Sequence, residues 1–132
     1  MVSEWWMKPF VDRVIKEKYG VPRKVVVDVP VLPAALRRPD IVYVFKGFLV
    51  TVELKIWDWR KAVQQALFNR FFSLAYVALQ WKRRRNINME VFRKLGVGLI
   101  AVNSRGAKIL AEPQPPISPE LARTVGKLLG GR

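Results

Sequence analysis

The residues best placed to do chemistry are Asp40, Glu53 and Lys55. Two β-rich runs, Asp40 to Phe45 and Phe48 to Ile56, flank the dipeptide Lys46-Gly47. A two-residue hairpin turn there sets the register. Phe45 then faces Phe48, Val44 faces Leu49, and Asp40 faces Glu53. Opposed residues of an antiparallel pair project to one side, with Cβ atoms roughly 4.5–5.5 Å apart. Lys55 lies two residues past Glu53 and shares that side. Carboxylates held side by side repel, and a divalent cation removes the penalty. Mg²⁺ commonly takes one or two carboxylates plus water. The bland alternative is an ion pair of Lys55 with Glu53 or Asp40 on a solvated face. The reverse face argues against it. Ile41, Tyr43, Phe45, Phe48, Val50, Val52, Leu54 and Ile56 are all apolar or aromatic, as a core face requires. Charge is confined to the other face, beside Val42, Val44, Leu49 and Thr51. That face is apolar at the turn end and ionic at the other.

Composition narrows the chemistry further. The chain has no cysteine and no histidine. Disulfides, thiolate zinc sites, cysteine nucleophiles, imidazole ligands and histidine bases are all excluded. Carboxylates, lysine, hydroxyls, amides or a bound metal must do any catalysis. There are 24 Lys plus Arg against 10 Asp plus Glu, a formal charge of +14. Such a field attracts polyanions, nucleic acid first among them and DNA the expected partner. Candidate phosphate contacts are Arg37, Arg38, Arg60, Lys61, Arg70 and the run Lys82, Arg83, Arg84, Arg85. Such contacts give affinity and salt dependence, not sequence choice. Trp57 and Trp59 flank the Glu53 strand and are candidates for base stacking; Trp5 and Trp6 are candidates for a homodimer surface. No apolar run approaches the roughly 20 residues of a membrane span. The N-terminus lacks the order of a signal peptide. These features predict a cytoplasmic protein without a membrane partner.

Elements must position these groups. A chain of 132 residues, about half apolar, predicts one domain with a real core. Ser3 can cap a helix with apolar positions Trp6, Met7, Phe10, Val11, Val14 and Ile15, stopped at Gly20. Pro9 implies a kink or a later start. Lys24 to Leu32 reads as a strand, at an edge because of Pro30. Asp58 can cap a helix reaching about Ser73, with a stripe of Ala62, Val63, Ala66, Leu67 and Phe71. Leu74 to Leu79 fits a helix extension or a strand, and the strand is preferred. Met89 to Leu95 is a short helix ended by Gly96. Val97 to Val102 and Ala107 to Ala111 are strands. Glu112 to Pro119 is a proline-rich connector, and Glu120 to Leu129 a closing helix. This order predicts an α/β fold, one mixed sheet flanked by helices.

Pro39-Asp40 followed by Glu53-Leu54-Lys55 resembles the signature of the PD-(D/E)XK, or restriction-endonuclease-like, nuclease superfamily, including its small archaeal Holliday-junction-resolvase-like members. The similarity spans roughly Glu4 to Ala111. It implies a mixed sheet flanked by helices and a Mg²⁺- or Mn²⁺-dependent nuclease acting on phosphodiesters. It implies that Asp40 and Glu53 hold the metal, with the Leu54 carbonyl and Glu4 as further ligands. Glu4 is equally explained as a charge favoured at a helix start. Lys55 would activate or position the attacking water. Helical geometry alone does not choose between Gln64 and Gln65, whereas the family pattern favours Gln65, before Ala66, as the residue holding Lys55 or a water. The absence of cysteine argues against the iron–sulfur branch. Two other classes stay open: a nucleic-acid-binding module that lost catalysis, and an interaction protein whose partner covers the basic face.

Overall fold

The computed structural model describes residues 3–27, 39–81 and 87–130. Ser3 caps a 3-10 turn, Glu4–Met7, its hydroxyl accepting from the Trp5 N–H at 3.2 Å. The chain continues as α1, Lys8–Tyr19, with Pro9 in its first turn. There the missing N–H costs no hydrogen bond, so the proline marks a junction between two helical segments. Gly20 ends α1 at φ 93°.

Three strands follow as an antiparallel meander: β1 (Lys24–Val27), β2 (Ile41–Phe45) and β3 (Phe48–Lys55). Helix α2 (Trp59–Asn69) leads to β4 (Leu74–Gln80), and α3 (Met89–Leu95) leads to β5 (Gly98–Asn103). Both steps are parallel. Strand β6 (Gly106–Ala111) returns antiparallel, and α4 (Pro119–Leu128) closes the order. The sheet order is β1-β2-β3-β4-β5-β6. This is the expected mixed α/β sheet flanked by helices. Strand β1 does lie at an edge; the rest of the run to Leu32 falls outside the described residues. Leu74 opens a strand because its run is buried on both faces, as parallel strands between helices are. Helix α2 stops at Asn69, short of Ser73: the chain tightens into turns in which the Phe71 and Phe72 N–H groups bond the carbonyls of Phe68 and Asn69, and the Ser73 hydroxyl joins the latter at 2.7 Å.

Alternation on β2 and β3 decides what each face touches. Tyr43, Val52 and Leu54 pack beneath Met7, Val11 and Ile15 of the N-terminal helices. The Tyr43 hydroxyl donates to Asp12 of α1 at 2.5 Å, which satisfies the phenol in the core. On the opposite face, α4 covers the turn end, with Val125 and Leu129 on Val42, Val44 and Leu49. Helices α2 and α3 cover β4 and β5 there, through Ala62, Val63, Ala66 and Phe92. The ionic end of β3 lies beyond α4's cover. No helix among the described residues is long and apolar enough to cross a membrane.

Close packing is least forgiving at Gly98. A Cβ there would lie 2.5 Å from the ring of Tyr76. That ring is fully buried, and its hydroxyl is tied to Tyr19 at 2.6 Å. Gly98→Ala is therefore expected to lower stability by roughly 1–3 kcal/mol in denaturant titrations. An unchanged midpoint would contradict this packing.

Candidate active site

The hairpin has the short turn its sequence implied. Phe45 pairs with Phe48 across Lys46 and Gly47, and Ile41 pairs with Val52. Gly47 takes φ 85°, a conformation that favours glycine. One further residue along this register places Asp40 opposite Glu53, just past the end of β2. The two side chains then do more than sit together. The Asp40 carboxylate accepts the Leu54 N–H at 2.8 Å. The Glu53 carboxylate accepts the main-chain N–H of Asp40. Each acid is therefore fastened to the backbone of the other's strand.

Pro39 makes room for this exchange. The ladder ends at the Ile41–Val52 pair, two residues short of where Pro39 would meet Leu54. Proline has no N–H to offer the Leu54 carbonyl. A residue's N–H and C=O face the same neighbouring strand, so the Leu54 carbonyl is directed to the Asp40 side. A proline here cannot extend the main-chain ladder past the carboxylates.

Glu53 is only 3% exposed. Burial, and then the charge of Asp40, raise its carboxyl from the ordinary 4.5 to about 7. Three contacts pull the other way: the Asn69 amide, the Asp40 N–H and the charge of Lys55. Lys55 is half-buried at the end of β3. Asn69 donates to Glu53 at 2.9 Å and is itself buried. It is held in turn from below. Ser73 donates to the Asn69 carbonyl, which leaves the Thr51 hydroxyl to donate to Ser73 at 2.7 Å. Strand β3 and the end of α2 are pinned together through these groups.

Asn69 is the site residue that sequence reasoning missed. A signal was present: Asn69 falls three residues after Ala66, a polar side chain within the apolar stripe of α2. Two amide oxygens, Gln65 Oε1 and Asn69 Oδ1, are buried without a hydrogen-bond partner among the described residues. They lie four residues apart, on one side of α2. A buried acceptor left unpaired is costly, and both would be satisfied by a water or a cation. Gln64 is exposed and Gln65 half-buried, so the fold separates the two glutamines that sequence geometry left equal. Both line a groove of about 330 Å³ with Lys61, Phe68 and Phe71.

Other candidates fall elsewhere. No cluster of three or more carboxylates forms among the described residues, so Glu4 does not join Asp40 and Glu53 in one. It stays half-buried in the N-terminal 3-10 turn. Arg70 corrects an expectation. Its guanidinium donates to the carbonyls of Leu95 and Pro115, at 3.0 and 3.1 Å, and so braces the fold instead of awaiting phosphate. Arg60 is exposed and stacks over Trp59 at 4.8 Å, and Lys61 is exposed beside it. Trp59 packs on Phe92 in the core, whereas Trp57 is 73% exposed. Arg37, Arg38, Lys82, Arg83, Arg84 and Arg85 lie outside the described residues.

No protein-family model matches the chain, and no curated protein does. Its structure is similar to that of the SPO1766 protein of unknown function from Silicibacter pomeroyi, with a TM-score of 0.63 at 16% identity. The match covers 92% of this chain and 79% of the other. At that identity the likeness concerns the fold alone.

The raised carboxyl has a consequence for stability. Between pH 4.5 and about 7 the folded protein keeps a proton on Glu53 that the unfolded chain has lost. Metal-free stability therefore falls as pH rises through that window. Glu53→Gln removes the penalty. In EDTA at pH 8 it is expected to exceed wild type by up to about 3 kcal/mol, the gap closing toward pH 4. Urea titrations at the two pH values read this directly; a variant less stable at pH 8 would sink it.

Proposed function

We propose that the protein is a metal-dependent nuclease that hydrolyses phosphodiester bonds in DNA. One observation carries the reading. Two carboxylates, Asp40 and Glu53, are held together at the edge of the core by each other's main chain, with the Lys55 ammonium beside them. The donor set suits a hard cation. It is all oxygen, two carboxylates beside the unpaired amide oxygen of Asn69, whose amide nitrogen already holds Glu53, as Mg²⁺ or Mn²⁺ prefers. When bound, the ion would supply Lewis-acid polarisation of a phosphoryl oxygen and a more acidic water.

The chain's own groups divide the remaining work. Asp40 and Glu53 would hold the ion, with the Leu54 carbonyl directed to the same side. Asn69 fixes the Glu53 carboxylate against rotation. Lys55 donates hydrogen bonds where negative charge develops on the phosphate. Gln65 orients Lys55 or a water. The net charge of +14 draws the polyanion in. The Lys82 to Arg85 run follows Trp81 directly in sequence, and it adds phosphate contacts to this attraction.

Incubation with duplex, branched and single-stranded DNA plus Mg²⁺ or Mn²⁺ tests the reading. Cleavage is expected, and Asp40→Ala or Lys55→Ala should reduce it at least roughly 100-fold. Saturating metal should also stabilise the wild type, by about 2.7 kcal/mol at a hundred times its Kd, and not Glu53→Ala. Cleavage that survives both alanine variants would refute the site. Salt-dependent binding without cleavage would identify a binding module instead.

A further inference from the structure

Beyond the carboxylates, the sheet carries a second feature on the same face. Lys55 lies opposite Leu79, Leu79 opposite Ala101, and Ala101 opposite Lys108. Side chains in register across neighbouring strands share a face. Three strand spacings of about 4.8 Å separate Lys55 from Lys108, roughly 14 Å. Leu79, between them, is buried beneath α2 and α3, so the two lysines stand on either side of that cover.

Two grooves open at the strand ends, the first on this face and the second reaching round to Trp6 and Gln80 on the other. One, of about 470 Å³, is lined by Trp81, Ala101, Asn103, Arg105, Lys108 and Leu110, among others. The next, of about 410 Å³, is lined by Trp6, Gln80, Trp81, Asn103, Ser104 and Arg105. They share Trp81, Asn103 and Arg105, and so form one cleft. No described residue lining either groove is acidic. Trp81 is anchored by its N–H on the Val102 carbonyl at 2.7 Å. Asn103 spends its side-chain oxygen on the Arg105 N–H at 2.8 Å, so its amide nitrogen is what it offers a ligand. Trp57 stands 73% exposed two residues beyond Lys55, at the same end of the sheet.

We propose that this cleft binds unpaired nucleotides flanking the scissile phosphate, by stacking on Trp81 and Trp57 with Arg105 and Lys108 on the backbone. Its direction, toward the scissile bond, rests on the nuclease reading above. The charge selects the class of partner, because a rim of cations without acids complements phosphate. The aromatic faces select the state of the strand. A base presents its π-face to a side chain only when it is not stacked within a duplex. Asn103, two residues past Ala101, supplies an amide nitrogen on the same face as the row. The preferred substrate is therefore one with a single-stranded arm beside the cut.

The test is binding in EDTA, which is independent of catalysis. The probes are a fluorescein-labelled oligothymidine and a blunt duplex of equal length. Wild type should bind the single strand with quenching of tryptophan fluorescence. Trp81→Ala should weaken that binding roughly tenfold, duplex binding should change less than twofold, and Trp81→Phe should recover most of the loss. Trp57→Ala, at an exposed position, should act in the same direction. Should Trp81→Ala fail to fold, Arg105→Ala and Lys108→Ala at exposed positions should lower the salt dependence of single-strand binding. Unchanged single-strand affinity in the tryptophan variants, or equal losses on both probes, would overturn the cleft even if cleavage is found. Selective loss without any wild-type cleavage would uphold the cleft and refute the nuclease.

Discussion

Two like charges in a dry place must be held there by something. In this protein each carboxylate of the Asp40–Glu53 pair accepts a main-chain N–H from the strand that bears the other. These bonds favour the charged forms, while burial and mutual repulsion favour a proton. The balance leaves Glu53 close to neutrality's edge at physiological pH. Much of the surrounding architecture can be read as the means of keeping that balance. Pro39 cannot extend the ladder past the pair, Asn69 adds an amide, and Lys55 adds a positive charge.

The sheet supplies the rest of the order. An antiparallel hairpin juxtaposes the acids, because its register is fixed by a short turn. A parallel step then brings β4 alongside β3 and swings α2 over the face that bears Glu53. One connection therefore places Asn69 against Glu53 and opens the strand ends toward β5. Structural support and chemistry share residues here. Thr51 and Ser73 join strand to helix, and Asn69 carries that link to Glu53.

How legible this was depends on the range of the interaction. The hairpin pairing was readable because alternation and turn length are local, and eight apolar positions on one face leave little freedom of register. Most element boundaries followed from Ser3, Asp58, Gly20 and Gly96, whose capping chemistry is equally local. Asn69 and Arg70 were not readable in role. Asn69 matters because helix and strand meet there, and Arg70 because it reaches carbonyls from α3's end and the proline-rich connector. A sequence shows a charge without showing whether the fold has already used it. The same holds for Glu4, whose place in a helix start is as ordinary as its place in a metal site.

The connector between β6 and α4 fastens itself to the end of α2, Ile117 on the Arg70 carbonyl and Ser118 on that of Phe71. Helix α4 then covers Val42, Val44 and Leu49. Synthesis runs from the N-terminus, so these residues leave the ribosome after every strand has done so. Until they arrive, the hairpin keeps an apolar face open to water and the turn bearing Asn69 lacks its clasp. The acids are thus encoded before the frame that holds them rigid, which is completed only by residues that emerge after the last strand of the sheet.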